Sequence, residues 1–311
     1  MTLILTVQTK GSIWLVADRR LSASGQAPID DAIKCTIVEV ADGIALLGYA
    51  GLGATARGSQ PSQWVSNVLR GRHHPLEQML QVVSDAMKRE FLPHLEGIRD
   101  AKQRQHNFVV PAFLNEMHRV YTIDLAYTSS AYKYRYTRHI MGGALTPMQV
   151  TTPIGLAGSG AGALPNRQDW QRPLLRLVKA YNGKRITAAV VAHHLAKLAY
   201  RSCLGTPDGS VGPDSLVVWR NSKAGLHRGG GGHSFFANAQ PSSQRADIPS
   251  ISKGMDMTAL VKTMMEVIIP QFEEMSAAKD RGEEIPEFDG GTDEINRRLR
   301  RLPSTPDEKL P

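Results

Sequence analysis

Three side chains near the front of this chain, Thr2, Asp18 and Lys34, are of the types that together make a self-activating nucleophile. Methionine followed by a small residue such as threonine is a good substrate for methionine removal, and a chain beginning at Thr2 would carry a free α-amine beside a hydroxyl. A threonine hydroxyl is a weak nucleophile at neutral pH. An α-amine has a reference pKa of about 7.7–8.0, so an appreciable fraction is neutral and able to take the hydroxyl proton. A nearby cation lowers that pKa further. Lys34 is placed to supply the charge, and Asp18 to hold Lys34 ionised and oriented. The β-branched side chain restricts χ1 and keeps the hydroxyl near its attack geometry. A chain that starts Met-Thr for no catalytic reason is the plain alternative, and the neighbouring elements decide between the two.

Those elements read as strands. Leu3 to Val7 is an aliphatic run, Lys10-Gly11 is a turn signal, and Ser12 to Ala17 is a second run entering Asp18-Arg19-Arg20. After a bend containing Gly and Pro, Ala32 to Val40 is a third strand and carries Lys34. Asp42-Gly43 marks a hairpin turn. Ile44 to Tyr49 is a fourth strand ending in Gly48-Tyr49-Ala50-Gly51.

In this frame, with Thr2 first, then Ala17-Asp18-Arg19-Arg20, Lys34 and Gly48-x-Ala50-Gly51, the sequence resembles the proteasome β-type family of N-terminal nucleophile hydrolases. That group includes the bacterial HslV peptidase and shorter bacterial proteasome-like proteins. The resemblance covers roughly residues 2 to 238. It implies an α+β fold, a four-layer αββα sandwich, with residues 1–238 as the hydrolase domain and 239–311 as a C-terminal extension. It implies Thr2 as nucleophile and base, Asp18 and Lys34 as its tuners, and the Gly48 amide as oxyanion donor. The matching specificity positions are Leu21, Ala32, Thr36, Leu46, Ala50 and Ala54, with Arg20 and Ser22 beside them. These are mostly small or apolar, so an uncharged side chain is expected before the cleaved bond. No cofactor or metal is implied. The expected partners are a peptide or unfolded protein substrate and other copies of the chain in a homo-oligomeric ring, with any ATPase partner unknown.

Further along, Pro61 to Leu69 and Pro75 to Leu95 read as helices, the second with Leu76, Met79, Leu80, Val83, Met87 and Phe91 near one face. Phe108 to Leu114, His118 to Tyr127 and the alternation from Tyr132 to Tyr136 read as strands. Gly158-Ser159-Gly160-Ala161-Gly162 approximates a dinucleotide loop, but it lies late in the chain and its downstream segment is helical rather than a second strand. Under the resemblance Ser159 supports the terminal amine. Helices follow at Trp170 to Tyr181 and Thr187 to Tyr200, and a buried strand at Asp214 to Trp219. The family's buttressing aspartate and serine are represented by Asp208 and Ser210, in a Thr-Pro-Asp-Gly-Ser stretch whose shifted spacing equally describes a plain turn.

Composition bounds the alternatives. The 311 residues carry a net charge of +8, with Lys and Arg spread along the chain apart from a group at Arg297 to Arg301, which describes a solvated surface better than a nucleic-acid footprint. Two cysteines are too few for a disulfide framework, and the expectation is a reducing cytoplasm. His73 and His74 fall in a connecting loop and His193 and His194 in a later helix, where adjacent residues point to different sides, which argues against a shared metal site. Asp256 to Met275 reads as an amphipathic helix kinked at Pro270, its apolar face either packing on its own core or docking on a neighbouring subunit. From Ala278 onward charge, Gly and Pro favour disorder. Besides a threonine peptidase or amidase, the sequence leaves open an inactive ring subunit and, as a third reading, a nucleic-acid or nucleotide binder.

Overall fold

The alternation of the first two strands dictates how everything else packs. In β1 (Ile4–Gln8) and β2 (Ser12–Asp18) every residue is buried, because both faces of these strands meet apolar partners. Ile4, Ile13 and Leu15 point one way, into a cluster with Ile37, Leu46, Val109 and Phe113. Leu5, Trp14 and Val16 point the other way, towards Trp170, Leu174, Val178 and Leu195. The computed structural model describes residues 2–21, 27–51, 60–95, 106–127, 132–139, 154–164, 167–223 and 229–302.

Two sheets result. The first has the order β11-β10-β9-β2-β1-β8, adding β8 (Ile154–Ala157), β9 (Ser215–Asn221), β10 (Gly231–Ala237) and β11 (Gln240–Pro241) to the first two strands. The second has the order β13-β12-β3-β4-β5-β6-β7, built from β3 (Cys35–Glu39), β4 (Gly43–Ala50), β5 (Asn107–Leu114), β6 (Met117–Tyr127), β7 (Tyr132–His139), β12 (Ser250–Ser252) and β13 (Met255–Asp256). Six α-helices lie among the described residues, so the class is α+β. Helices α1 (Pro61–Leu69) and α2 (Leu76–Leu95) place Trp64, Val68, Met79 and Val83 against Val38, Leu47 and Val110. Helices α3 (Arg167–Asn182) and α4 (Ala188–Leu204) pack on β1, β2 and β9. Thr187 is the N-cap residue of α4, as its position suggests, but its side chain makes no capping hydrogen bond.

Past residue 238 the chain returns to the body. Strand β12 pairs in parallel with β3, Ser250 opposite Ile37, and the Asp256 carboxylate accepts from Arg70 at 2.7 Å. The same carboxylate caps α5 (Met257–Arg281) by accepting from the Ala259 amide at 2.9 Å. This helix runs beyond the expected Met275, because the first residue with a left-handed backbone is Gly282, at φ 69°. A further helix, α6 (Thr292–Arg300), follows where charge and proline alone suggested disorder; Asp293 and Glu294 open it and three arginines close it, matching its dipole. Among the described residues no helix is long and apolar enough to cross a membrane.

Candidate active site

The β1–β2 register sets Ile4 opposite Ala17, which brings Asp18, at the end of β2, alongside Leu3. Asp18 is fully buried. Its Oδ1 accepts from the Leu3 amide at 2.7 Å, and its Oδ2 accepts from Lys34 Nζ at 3.0 Å, the Arg20 amide at 3.1 Å and the Gly212 amide at 3.2 Å. These donors replace the water a carboxylate loses on burial. Lys34 stands one residue before β3, and its ammonium also donates to Thr2 Oγ1 at 2.8 Å. Burial pushes the Lys34 pKa below the ordinary lysine value, an effect the neighbouring Asp18 opposes.

Thr2 itself is only 2% exposed. Its backbone is gripped from the far side by the turn that follows β8. The Gly160 amide donates to the Thr2 carbonyl at 3.3 Å, and Ser202 Oγ donates to the Gly160 carbonyl at 2.6 Å. Gly158 has φ 84°, and a Cβ on it would overlap the Thr2 carbonyl oxygen. The glycines in this cluster therefore let one strand end approach another's backbone, which explains them without a nucleotide. The arrangement can hold a threonine hydroxyl in one orientation and offer it a cation.

No family model and no curated protein matches the sequence. Among solved structures the chain is similar to Anbu (ancestral beta-subunit) from Yersinia bercovieri, at 11% identity over 70% of this chain and 81% of that one, with a TM-score of 0.43. It is similar to two Anbu structures from Hyphomicrobium sp. strain MC1, one of them a Gly-1 mutant, each at 14% identity. These cover 71% and 70% of this chain and 82% of each of theirs, with TM-scores of 0.43 and 0.41. The HslV-like assignment drawn from the spacing of Thr2, Asp18, Lys34 and Gly48 is thereby corrected. The structures returned are Anbu proteins, a proteasome-like family distinct from HslV.

The remaining sequence-derived positions divide in two. Gly48 lies inside β4, opposite Cys35 on one side and Val109 on the other. A Cβ there would come 2.5 Å from Leu15 Cδ1 and 2.9 Å from Ile4 Cγ2, so the glycine serves the contact between the sheets. Leu46 and Ala50 are buried in that same contact. Thr36 is buried, its hydroxyl donating to the Ser62 carbonyl at 3.3 Å, and Ala32 is buried with its amide donating to the Arg19 carbonyl at 3.0 Å. These four side chains are buried. Leu21 pairs with Ile29 as an isolated bridge. Ser22, Ala54 and Met1 lie outside the described residues. Ser159 opens the tight turn Ser159–Ala163.

Arg20, expected beside the substrate, clamps two segments together. It donates to both oxygens of Asp30, at 2.7 and 2.6 Å, and to the Gly209 carbonyl at 2.8 Å. Asp208 and Ser210 sit in the loop so clamped. The Ser210 amide donates to Asp208 Oδ1 at 3.0 Å, and proximity of Ser210 lowers the Asp208 pKa. Neither side chain hydrogen-bonds Thr2; their loop reaches the site through Gly212. Gly212 and Arg19 are the contributors that residue-type reasoning missed. Arg19 donates to the Asp31 carbonyl at 2.7 Å and to Gln244 Oε1, and stacks over the Phe235 ring at 4.9 Å, tying the segment after β11 to the end of β2. Gly212 acts through a backbone amide, and Arg19 partly through Gln244 and Phe235, more than two hundred residues away, so neither role is written in the local sequence. A cavity of about 650 Å³ lies where the β3–β4, β5–β6 and β9–β10 turns meet and includes none of these residues.

Proposed function

We propose that this chain is a threonine peptidase or amidase acting through Thr2 after removal of Met1. The observation that carries the reading is the buried series Thr2 Oγ1, Lys34 Nζ, Asp18 Oδ2, linked at 2.8 and 3.0 Å beside the start of the chain. Removing Met1 turns the Thr2 amide nitrogen into an amine with a reference pKa of about 7.7–8.0, which the Lys34 cation lowers. The amine takes the hydroxyl proton as Oγ1 attacks the carbonyl carbon of the substrate. It returns that proton to the leaving amine as the C–N bond breaks, leaving an ester on Thr2. Water, deprotonated by the same amine, then hydrolyses the ester. Lys34 stabilises the alkoxide as it forms, and Asp18 fixes Lys34 in place. Gly48, whose amide is the expected oxyanion donor in this reading, lies in β4 opposite Cys35 and Val109. The four-layer αββα order, a peptide substrate with an uncharged residue before the cut, cytoplasmic residence and a ring of copies belong to the same reading.

The 2% exposure of Thr2 favours a second reading, a subunit that keeps the fold without turnover. The mass of the N-terminal peptide, before and after exposure to a peptide epoxyketone or β-lactone, separates the two. Loss of Met1 together with a covalent adduct on Thr2, abolished in Thr2→Ala, is the expected result. A processed but unlabelled Thr2, or retained Met1, supports the scaffold and sinks the enzyme.

A further inference from the structure

The cavity of about 650 Å³ where the β3–β4, β5–β6 and β9–β10 turns meet lies apart from the Thr2 cluster. The pairing of β2 with β9 sets Ile13 beside Arg220 at this end and Asp18 beside Ser215 at the other, about 17 Å away along the strand. Small-molecule sites commonly enclose about 300–1,000 Å³, so the volume suits one. The chemistry of the cavity is set by Arg220.

Strand β10 places Gly231 opposite Arg220 and His233 opposite Val218. Alternate strand residues share a face, and Val218 and Phe235 belong to the core between the sheets. Arg220 and His233 therefore continue that inner face outward to the cavity, which both line. A Cβ on Gly231 would come 2.9 Å from Arg220 Cδ and Nη1, so glycine there lets the arginine side chain lie close against the strand. The second sheet contributes an apolar wall, Ile44 paired with Phe113.

Arg220 Nη1 donates to the Trp219 carbonyl at 2.8 Å, and the guanidinium makes no ion pair among the described residues. Most of its donors are left unclaimed by those residues. The carboxylates that share the cavity are already engaged. Glu39 faces Lys223 at 3.6 Å, Asp42 Oδ1 accepts from the Leu76 amide at 2.9 Å, and Glu116 accepts from the Ser222 hydroxyl. Burial and the charge of Arg220 lower the His233 pKa, so that imidazole is neutral at pH 7. Burial lowers the Arg220 pKa too, yet an arginine keeps its charge at neutral pH. A fixed cation thus stands open beside an apolar wall. Carboxylates around it repel a doubly charged phosphate more than a singly charged acid, and a carboxylate matches the guanidinium fork with two parallel hydrogen bonds.

We propose that this cavity binds a small organic carboxylate, its charged end on Arg220 and its apolar body against Ile44 and Phe113, at a site separate from Thr2.

The test titrates 3-phenylpropionate into the full chain labelled on its isoleucine methyl groups. The Ile44 methyl signal is expected to shift with a Kd of about 1 mM, while that of Ile4, near Thr2, stays in place. The uncharged 3-phenylpropionamide and inorganic phosphate should each bind at least about tenfold more weakly. R220M should weaken 3-phenylpropionate by about tenfold or more, and R220K, which keeps the charge without the fork, by less. T2A should bind as wild type does. Comparing the acid with its amide on the wild-type chain keeps the test decisive even if R220M fails to fold. The proposal is overturned by an Ile44 signal unmoved at about 20 mM acid, by an amide or phosphate that binds as well as the acid, or by a folded R220M that binds unchanged. Loss of binding in T2A overturns it as well, by placing the acid at the Thr2 site.

Discussion

Asp18→Asn tests the site without reference to any substrate. The carboxylate accepts one hydrogen bond on Oδ1 and three on Oδ2. The amide keeps one oxygen, and its least costly orientation turns the NH₂ towards the Leu3 amide, leaving that buried donor facing another donor at a cost of about 1–3 kcal/mol. Lys34 loses its counter-charge in the same step, and removing one partner of a buried pair costs about 3–5 kcal/mol. The two terms do not add, because Lys34, its pKa already lowered by burial, can escape by releasing its proton. The expected loss is about 3–5 kcal/mol at pH 7, read as a lower urea midpoint at unchanged slope. A depressed lysine pKa means that the unfolded state binds more protons between the folded and ordinary values, so stability rises with pH across that window. Asp18→Asn widens the window and steepens the rise. Asp18→Asn/Lys34→Met should recover at least half of the loss. A single variant within about 1 kcal/mol of wild type, or a double variant no better than the single, would refute the account of Lys34 as a buried cation held by Asp18.

Gly158→Ala places a Cβ where the Thr2 carbonyl oxygen lies, on a residue with φ 84°. It should cost about 3 kcal/mol or more, and faster amide exchange at Leu3 and Leu5 than at Leu46 would show that β1 is what loosens; even loss of protection across both sheets would contradict this. His118 donates from Nε2 to the Thr9 carbonyl at 2.6 Å, and burial lowers its pKa. Its contribution is complete above about pH 6.5 and is lost as pH falls through the lowered folded value, since protonation is easier in the unfolded chain. His118→Gln should flatten the acid side of the stability profile, and an unchanged profile would remove His118 from the account.

What the sequence disclosed follows the range of the forces involved. Strands Leu3 to Val7 and Ile44 to Tyr49, and helices Pro61 to Leu69 and Pro75 to Leu95, were legible because alternation and the 3.6-residue period are local. Thr2, Asp18 and Lys34 were legible as a chemical set, and they do meet. At Gly48 the sequence suggested an amide donor, while the structure shows that the missing Cβ also lets two sheets close, a demand invisible in one dimension. Arg20's bonding was only partly legible: its partner Asp30 is nearby in sequence, but the Gly209 carbonyl is not. Helix α3 crosses Pro173 without ending, since Trp170, Leu174 and Val178 bury on one face and tertiary packing outweighs the missing donor.

The Gly212 amide on Asp18 also fixes when the site comes into being. Synthesis at about 5–20 residues per second leaves roughly 10–40 s between the emergence of Thr2 and that of Gly212. Through that whole interval β2 lacks β9 and β3 lacks β12, β1 lacks β8 until residues 154–157 are made, and Asp18 is without the Gly212 amide. The strands made first are the last to be completed. The growing chain therefore passes through most of its own synthesis without the complete Thr2–Lys34–Asp18 arrangement, and the edges of β2 and β3 stay unpaired longest.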